Sequence, residues 1–418
     1  MDKIRKVRAV GAAILAAGLT AAALAGCSSG NSGSGSSSSA GGTYTFWDPY
    51  PQYTNTSAWA KVIQKCGTEA GVTINRTAYD TSDLTNKALL AGQQQNSPNI
   101  LLVDNPVVST LASAGILTTT ADNGLSTKGI AQNILGAGVI DGKTYGVPIG
   151  ANTLALYYNP KVLSAAGVDI SSVTDWDSLT AALQKVVSSG HKGITFSAIG
   201  TEEGSFQFLP WLWGSGANLK KLDSSDAESA LALWTNWVKQ GLAPNSVINN
   251  TQTTSWQEFQ TGEFGFSENG TWQKASAAQA GYKVVPLPGK TAGSSAPAPT
   301  GGEFFTIPTQ KDTATYKTSA KIVSCLTDSK NILNTVNTLN YIGANKTVQQ
   351  EQVKADPTLK PWVDAVQSAK ARTGDNLGTN YPIISQQMWG AVQNALSGSQ
   401  SPADALKAAQ TAAASKVK

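Results

Sequence analysis

The chain is poor in the side chains on which much enzyme and metal chemistry depends. Its 418 residues include one histidine, three cysteines and two methionines. A single imidazole excludes most histidine-based metal sites and leaves one histidine base, His191. It lies in a Ser-Ser-Gly-His-Lys-Gly turn between a predicted helix and a predicted strand. We expect a solvated turn residue there, and we predict neither a metal nor a cofactor.

Two motifs of nucleotide-binding and hydrolytic proteins are also missing from the sequence beyond residue 42. There is no G-x-x-x-x-G-K-[ST] loop, which excludes ATP binding in the P-loop manner. There is no G-x-S-x-G elbow in this part of the chain either, which weakens any assignment as a serine hydrolase.

The N-terminal segment has the pattern of a bacterial lipoprotein signal. Four basic residues precede a small-residue apolar stretch over 9–26, which ends in Leu-Ala-Gly before Cys27. We predict a signal peptide over 1–26, lipidation of Cys27 and a flexible Ser/Gly tether over 27–42. An ordinary secretory signal or a membrane-spanning helix is disfavoured because the stretch is short, Ala/Gly-rich and followed by polar residues. The protein would then be extracytoplasmic, anchored to the outer face of the cell membrane.

The charge of the chain is low and nearly balanced once this leader is set aside. Charged residues make up 14% of the sequence. Residues 1–26 hold four of the 31 Lys and Arg residues and one of the 27 Asp and Glu residues, which leaves 27 basic against 26 acidic side chains. A nucleic-acid partner therefore has no electrostatic support.

Cys66 and Cys325 are the cysteines left beside Cys27, and both lie in patterns typical of helices. An exported location permits a disulfide between them. Two buried free thiols, each acting as a small apolar side chain, fit the sequence equally well.

The rest of the chain alternates predicted strands and helices. Ser57, Ser82 and Asn159 are predicted helix caps, and Thr174 with Asp177 resembles a capping box. Asp141-Gly142 marks a hairpin turn. The predicted strands lie at 43–47, 72–78, 99–103, 152–158, 193–199, 264–267, 282–285 and 304–307, with a periodic helix over 227–239 and a helical C-terminal third. The initial β-α-β-α-β order implies a doubly wound α/β sheet, with ligands beyond the carboxyl ends of its strands.

Several segments in a fixed order carry a family resemblance. They lie at 99–117, 141–160, 174–183, 206–219, 266–273, 301–308 and 395–410. With the Leu-Ala-Gly-Cys signal, the chain resembles the extracellular solute-binding lipoproteins of ABC-type sugar importers, the family that includes maltose-binding protein. The resemblance covers nearly all of residues 43–400.

The resemblance implies a two-lobed periplasmic-binding-protein-like fold of type II, with a hinge of three chain crossings. We place the crossings near 150–153, 301–303 and 343–345. The first lobe would then comprise 43–150 and 303–344, and the second 151–302 and 345–418. Glycines lie at or beside all three crossings, as suits segments that absorb changes in φ and ψ.

A sugar site combines aromatic rings, which stack on the C–H faces of a pyranose, with Asp, Glu, Asn or Arg side chains for its hydroxyls. Position along the predicted strands selects Trp47, Tyr50, Asp104, Asn105 and Asn152, and Glu202-Glu203 precede an aromatic segment. The resemblance adds the ligand-binding candidates Glu203, Phe206, Trp211, Trp213, Trp272, Gly301, Gly302, Glu303, Tyr381 and Ser385. For Trp234 and Trp237, helical periodicity favours packing in the core.

The predicted function is that of the substrate-binding component of a sugar importer, with no enzymatic activity. Its partners would be a sugar or oligosaccharide and two membrane-spanning permease subunits served by a separate ATPase, and we expect a monomer. A membrane-anchored glycoside hydrolase is one alternative, but the neighbouring carboxylates Glu202 and Glu203 would commonly diverge. The same fold binding a charged solute is the other, disfavoured because Arg76 and Arg372 are the only arginines after the leader.

Overall fold

Two β-sheets organise the part of the chain that the structure, a computed structural model, describes, namely residues 41–375 and 377–417. The predicted signal peptide, Cys27 and the tether up to residue 40 lie outside these ranges. The first sheet has five strands in the order β2-β1-β3-β11-β6, the second has four in the order β10-β7-β9-β8, and β4 and β5 form a separate hairpin. The strands are β1 (Thr43–Asp48), β2 (Thr73–Ala78), β3 (Ile100–Asp104), β4 (Val139–Ile140), β5 (Lys143–Thr144), β6 (Val147–Pro148), β7 (Leu154–Tyr158), β8 (Lys192–Thr195), β9 (Phe264–Gly270), β10 (Lys283–Val285) and β11 (Glu303–Thr306).

Sixteen α-helices are found among the described residues. They are α1 (Ala58–Glu69), α2 (Thr81–Gln93), α3 (Asn105–Ser113), α4 (Gln132–Leu135), α5 (Pro160–Ala165), α6 (Trp176–Ser188), α7 (Glu202–Gly214), α8 (Ser225–Lys239), α9 (Gln252–Gln260), α10 (Lys274–Ala280), α11 (Thr315–Thr327), α12 (Ser329–Thr338), α13 (Lys346–Ala355), α14 (Lys360–Ser368), α15 (Tyr381–Leu396) and α16 (Pro402–Ala414). In these ranges no helix is both long and apolar enough to cross a membrane.

Local sequence signals account for several of these helices. The Ser57 hydroxyl accepts a hydrogen bond from the Ala60 amide and starts α1, and the Asn159 side chain caps α5, with Pro160 as its first residue. The Asp141-Gly142 turn is confirmed: both residues have positive φ, 50° and 73°, as a type I′ hairpin requires.

Two predicted helix starts are wrong. α2 begins at Thr81, so its cap is Asp80, which has the extended backbone that precedes a helix, and not Ser82. The capping box of α6 joins Asp175 to Ser178 rather than Thr174 to Asp177, since Asp175 and Ser178 satisfy each other's backbone amides.

Two predicted strands are shorter in the structure by two residues or more. β8 ends at Thr195 rather than at residue 199 because the next amides bond elsewhere: that of Ser197 donates to the Gln207 side chain at 2.6 Å. β7 begins at Leu154 rather than at residue 152. The residues before it belong to a segment that runs between the two sheets.

The register of the first sheet gathers acidic side chains at one edge. β1 pairs in parallel with β2 and β3, and β11 runs antiparallel to β3 with Glu303 opposite Asp104. The carboxyl ends of β1 and β3 and the start of β11 therefore share one edge, which carries Asp48, Asp104 and Glu303. β3 is buried on both faces, since Ile100 and Leu102 pack in one cluster and Leu101 and Val103 in another.

The second sheet presents a corresponding edge. β8 is parallel to β9, and β7 runs antiparallel to β9 with Leu154 opposite Gly270. Trp272 follows directly after this edge. We refer to the first sheet with its helices as lobe 1 and to the second sheet with its helices as lobe 2; the exact chain boundaries assigned above stay a prediction.

Three chain segments connect the lobes side by side. The amide of Ala151 donates to the Ile342 carbonyl at 2.7 Å, and the reverse bond is 2.9 Å. Asn152 and Gly301 exchange a second backbone pair, at 3.2 and 2.9 Å. The three segments thus form a narrow hydrogen-bonded band between the two sheets.

Lobe 1 contains a disulfide between Cys66 in α1 and Cys325 in α11, with an S–S distance of 2.05 Å. The sequence allowed either a disulfide or two free thiols, and the structure has the disulfide. The bond fixes α1 and α11 together on one face of the first sheet, where both helices pack in the same apolar cluster.

Candidate ligand-binding site

The candidate site lies where the two sheet edges meet at the connecting band. Gly301 in the band leaves no room for a side chain, because a Cβ there would lie 1.9 Å from Asn152 Oδ1 and 2.9 Å from Phe206 Cζ. Gly302 follows with φ of 114°, a conformation that favours glycine. The two glycines therefore let Asn152 and Phe206 pack directly against the backbone of the band.

A buried ion-pair cluster joins the lobes at this point. Asp104 ends β3 and caps α3, and both of its carboxylate oxygens accept from Arg372, at 2.6 and 2.9 Å. Arg372 follows α14 of lobe 2, and its Nη1 also donates to Glu202 Oε1 at 2.7 Å. The Arg372 side chain is only 2% exposed. Burial alone would lower the pKa of Arg372, but the charges of Asp104 and Glu202 raise it, so the guanidinium stays charged.

Glu202 is held by lobe 2 as well. It is the first residue of α7, where a carboxylate complements the helix dipole. Tyr381 Oη and Ser385 Oγ, one turn apart on α15, each donate to Glu202 at 2.5 Å. Burial raises the pKa of Glu202 and outweighs the opposing influence of Arg372 and of the two hydroxyls.

A second buried cluster surrounds Glu303. Tyr50 Oη and Tyr341 Oη donate to Glu303 Oε2 at 2.6 and 2.8 Å, and Asn152 also hydrogen bonds to Tyr341. Burial, with the nearby Asp104 charge, raises the pKa of Glu303 to about 7, although the two hydroxyls act in the opposite direction. This cluster connects the end of β1 with all three segments of the band.

The loop that carries Tyr50 is positioned by a separate ion pair. Arg76 donates to both oxygens of Asp48, at 2.5 and 2.8 Å, and to the carbonyl of Tyr50 at 2.9 Å. Both side chains of the pair are at least 97% buried. Asp48 and Arg76 therefore shape the loop after β1 from within lobe 1.

Two aromatic pairs flank the clusters. Phe206 lies 6.4 Å from the half-buried Trp272 in lobe 2, measured between ring centroids. Trp47 lies 5.3 Å from Tyr79 in lobe 1, and both rings are half-buried. The guanidinium of Arg372 covers the Phe206 ring at 4.8 Å. Trp47 and Trp272 are thus both partly accessible, one on each lobe.

Glu203 points away from Glu202, as predicted for neighbouring carboxylates. Its Oε2 accepts from the Gln252 amide at the start of α9, at 2.9 Å. Burial raises the pKa of Glu203, and the charge of Asp80, at the start of α2 in lobe 1, adds to this. Glu203 therefore lies within electrostatic reach of the other lobe.

Two of the predicted site residues lie apart from this group. Trp211 is fully buried. Its ring packs against Trp176, Trp234 and Trp237, and its N–H donates to the buried Glu268 at 2.7 Å. The structure therefore assigns Trp211 to the core, which corrects the prediction. The helical periodicity that marked Trp234 and Trp237 as core residues did not reveal it because α7 is apolar nearly all round.

Trp213 is nearly buried too, and the ammonium of Lys370 covers its ring at 5.2 Å. The structure places it beside the segment after α14 rather than among the two clusters.

Comparison with known proteins shows which family the chain belongs to. A family model described as bacterial extracellular solute-binding protein matches residues 61–361. The chain belongs to this family. As a member of this family the chain is a solute-binding protein with an extracytoplasmic location, and the family consists of binding proteins.

Solved structures share the fold of this solute-binding protein. The GacH receptor of Streptomyces glaucescens GLA.O, solved unliganded and with acarbose, has a TM-score of 0.76 at 23% identity, over 90% of this chain and 99% of that one. Maltose-bound T. maritima MalE3 has a TM-score of 0.78 at 19% identity, with the same coverage. UgpB from Mycobacterium tuberculosis, solved with glycerophosphocholine, has a TM-score of 0.76 at 20% identity, over 90% of this chain and 98% of that one. At these identities the likeness establishes the two-lobed fold.

Sequence relatives match shorter stretches. A protein of Brucella abortus (strain 2308) named as a binding protein is 26% identical over 168 residues, which is 37% of this chain and 41% of that protein. The arabinooligosaccharide-binding protein of Halalkalibacterium halodurans is 38% identical over 55 residues, 13% of this chain and 12% of that protein. The chain thus spans less than half the length of these relatives.

The geometry also shows what sequence reasoning missed in this solute-binding protein. Arg372 and Tyr341 take part in the two clusters, and Tyr79 pairs with Trp47, yet none of them was selected. Tyr79 follows the carboxyl end of β2, so the rule that chose Trp47 and Asp104 could have found it. Arg372 and Tyr341 lie in loops with no local signal. Among the described residues no group of three or more His, Cys, Asp or Glu side chains could hold a metal ion.

Proposed function

We propose that this solute-binding protein captures an uncharged sugar or oligosaccharide between its two lobes. The observation that carries the proposal is that aromatic and acidic side chains lie together where the edges of the two sheets meet. Half-buried Trp47 and Trp272 lie at the two sheet edges that meet at the band, one on each lobe, and the same region carries the carboxylates of Asp104 and Glu303. Rings for C–H faces and planar polar groups for hydroxyls are what a pyranose requires.

The charges at the site support an uncharged ligand. Arg372, the cation in the first cluster, is already paired with two carboxylates. Glu203 and Glu303 add further acidic groups, and their hydrogen bonds come from a backbone amide and from two tyrosine hydroxyls rather than from a cation, as far as the described residues show. An anionic ligand would meet net repulsion here, since binding a carboxylate or phosphate calls for a free arginine or lysine.

The narrow band between the lobes supports a hinge. We propose that a ligand bridging both lobes favours a closed form, which delivers it to two permease subunits driven by a separate ATPase. In this proposal the protein works as a monomer, held near its importer through a lipid on Cys27.

Titration calorimetry of a Trp272→Ala variant tests the proposal. A panel of neutral mono- and oligosaccharides first identifies a ligand of the wild type. Loss of the Trp272 ring should then weaken binding of that sugar about tenfold or more, about 1.4 kcal/mol, as for other central aromatic contacts.

Tyr158→Ala is the matched control. Tyr158 is a half-buried aromatic at the opposite end of the same strand pair, four residues along β7 from the edge that carries Trp272, or about 13 Å at about 3.3 Å per residue. We expect its loss to leave sugar affinity unchanged. Equal affinities of wild type and Trp272→Ala would remove Trp272 from the site.

The same panel addresses the other candidates. Glycerophosphocholine is included because a structural neighbour was solved with it, and its binding without any sugar binding would replace the sugar proposal by a different solute. Release of reducing sugar on long incubation with oligosaccharides would instead indicate a glycoside hydrolase.

A further inference from the structure

The Asp104–Arg372–Glu202 cluster has its hydrogen-bonding capacity almost entirely filled by the protein. Nη1 of Arg372 donates to Asp104 and Glu202, and Nη2 donates to Asp104 and Asn105. These four bonds use all four hydrogens of the two Nη atoms. The remaining donor, Nε, is buried and has no hydrogen-bond partner among the residues that the structure describes.

The carboxylate oxygens are engaged as well. Both oxygens of Asp104 accept from Arg372. Glu202 Oε1 accepts from Arg372 and Tyr381, and Oε2 accepts from Ser385. Each carboxylate oxygen therefore already accepts at least one hydrogen bond, and each charge in the cluster already has a partner of opposite sign.

Arg372 also covers an aromatic surface that would suit a cation. Its guanidinium lies 4.8 Å from the Phe206 ring centroid, and Trp272 is the next ring, 6.4 Å from Phe206. Aromatic rings beside carboxylates form the kind of site that binds quaternary ammonium groups. With Arg372 in place, this ring face and both carboxylates are occupied by the protein's own cation.

We propose that Arg372 is a specificity-determining residue that closes the site to charged solutes and thereby reserves it for uncharged ones. This inference rests on the proposed location of the ligand site between the lobes. Arg372 acts as a built-in cation: it neutralises one of the two carboxylates in net terms, hydrogen bonds to both, and covers the Phe206 ring.

Removing the arginine tests the proposal with choline as the probe. Arg372→Gln leaves Asp104 and Glu202 without a cation and uncovers Phe206, so choline affinity should rise at least tenfold over the wild type. The gain should shrink between 50 and 500 mM NaCl, because it is electrostatic. A folded Arg372→Gln protein whose choline affinity stays within threefold of the wild type overturns the proposal.

Two further variants separate charge from structural damage. Arg372→Gln with Glu202→Gln restores the net charge that the cluster has in the wild type, so the choline gain should largely disappear; a gain that persists overturns the electrostatic explanation. Arg76→Gln removes an equally buried arginine paired with Asp48 inside lobe 1, and it should lower stability without creating choline binding.

The opposite charge change keeps the proposal testable if Arg372→Gln does not fold. Asp104→Asn with Glu202→Gln retains Arg372 and removes both negative partners. Affinity for glucose 1-phosphate should then rise at least tenfold, and no rise overturns the proposal.

These outcomes are distinct from those of the sugar proposal. A wild type that binds no neutral sugar, combined with a choline gain in Arg372→Gln, rejects the sugar and supports the role of Arg372. If the wild type binds sugar and the variants gain affinity for neither choline nor glucose 1-phosphate, the sugar proposal is supported and the role of Arg372 is rejected.

Discussion

Replacing Glu303 by glutamine should remove a large pH dependence of stability. Glu303 is 9% exposed, and both tyrosine hydroxyls that contact it bond to one oxygen, Oε2. A glutamine can keep its carbonyl oxygen at that position and accept both bonds. The substitution therefore removes the titrating group while preserving the shape of the cluster and its hydrogen bonds.

The expected magnitude follows from the raised pKa. Burial of Glu303, together with the Asp104 charge, raises this pKa from 4.5 to about 7. Between these values the folded state binds more protons than the unfolded state, so the free energy of unfolding falls as pH rises. The stabilisation is complete below pH 4.5 and lost above pH 7. At about 1.4 kcal/mol per pH unit, the loss between pH 5 and pH 8 is about 2–3 kcal/mol.

Urea unfolding of both proteins at intervals from pH 5 to pH 8 measures this effect. The other buried carboxylates contribute to both curves, so the difference between wild type and Glu303→Gln isolates Glu303. The wild type should lose about 2–3 kcal/mol relative to the variant over this range. A difference independent of pH would refute the reasoning.

Tyr341→Phe provides a check on direction. The Tyr341 hydroxyl lowers the pKa of Glu303 by donating to its carboxylate. Removing that donor should move the pH dependence attributed to Glu303 to higher pH. A shift to lower pH would show that the assigned hydrogen bond does not stabilise the charged form.

Two further predictions concern the cysteines. The Cys66–Cys325 disulfide spans a sequence separation of 259 residues, so a reductant should lower the free energy of unfolding in urea by about 2–5 kcal/mol. A Cys66→Ser/Cys325→Ser variant should be insensitive to the reductant. Identical unfolding curves for the wild type with and without reductant would contradict the bond. Cys27→Ser should yield a protein whose intact mass lacks any acyl chain and which leaves the membrane fraction, whereas a variant that keeps its acyl mass would exclude Cys27 as the anchor.

Much of lobe 1 could be predicted from local sequence. The strand-helix alternation, the Ser57 cap and the apolar run of β3 are local patterns, and the structure contains each of them. Asp104 and Asn105 were selected because they follow a predicted buried strand, and they do lie at the meeting edge. Backbone preference and periodicity set such features within a few residues of chain.

The partners of those residues could not be predicted in the same way. Arg372 lies 268 residues from Asp104, and Tyr341 lies 38 residues from Glu303. Asp104 and Arg372 meet because the connecting band brings the two lobes together, and Tyr341 meets Glu303 because both lie where the band joins the first sheet. Trp211 was predicted to bind ligand but is buried in the core. Its burial depends on the helices packed around α7, which the sequence of α7 alone does not reveal.

The sequence by itself thus determined the elements, their order and the edge at which polar side chains collect, since these depend on interactions between near neighbours in the chain. Only the tertiary structure decided which charges neutralise one another, which rings stay exposed and which cysteines bond. Those outcomes depend on contacts between residues far apart in sequence, where packing fixes the distance.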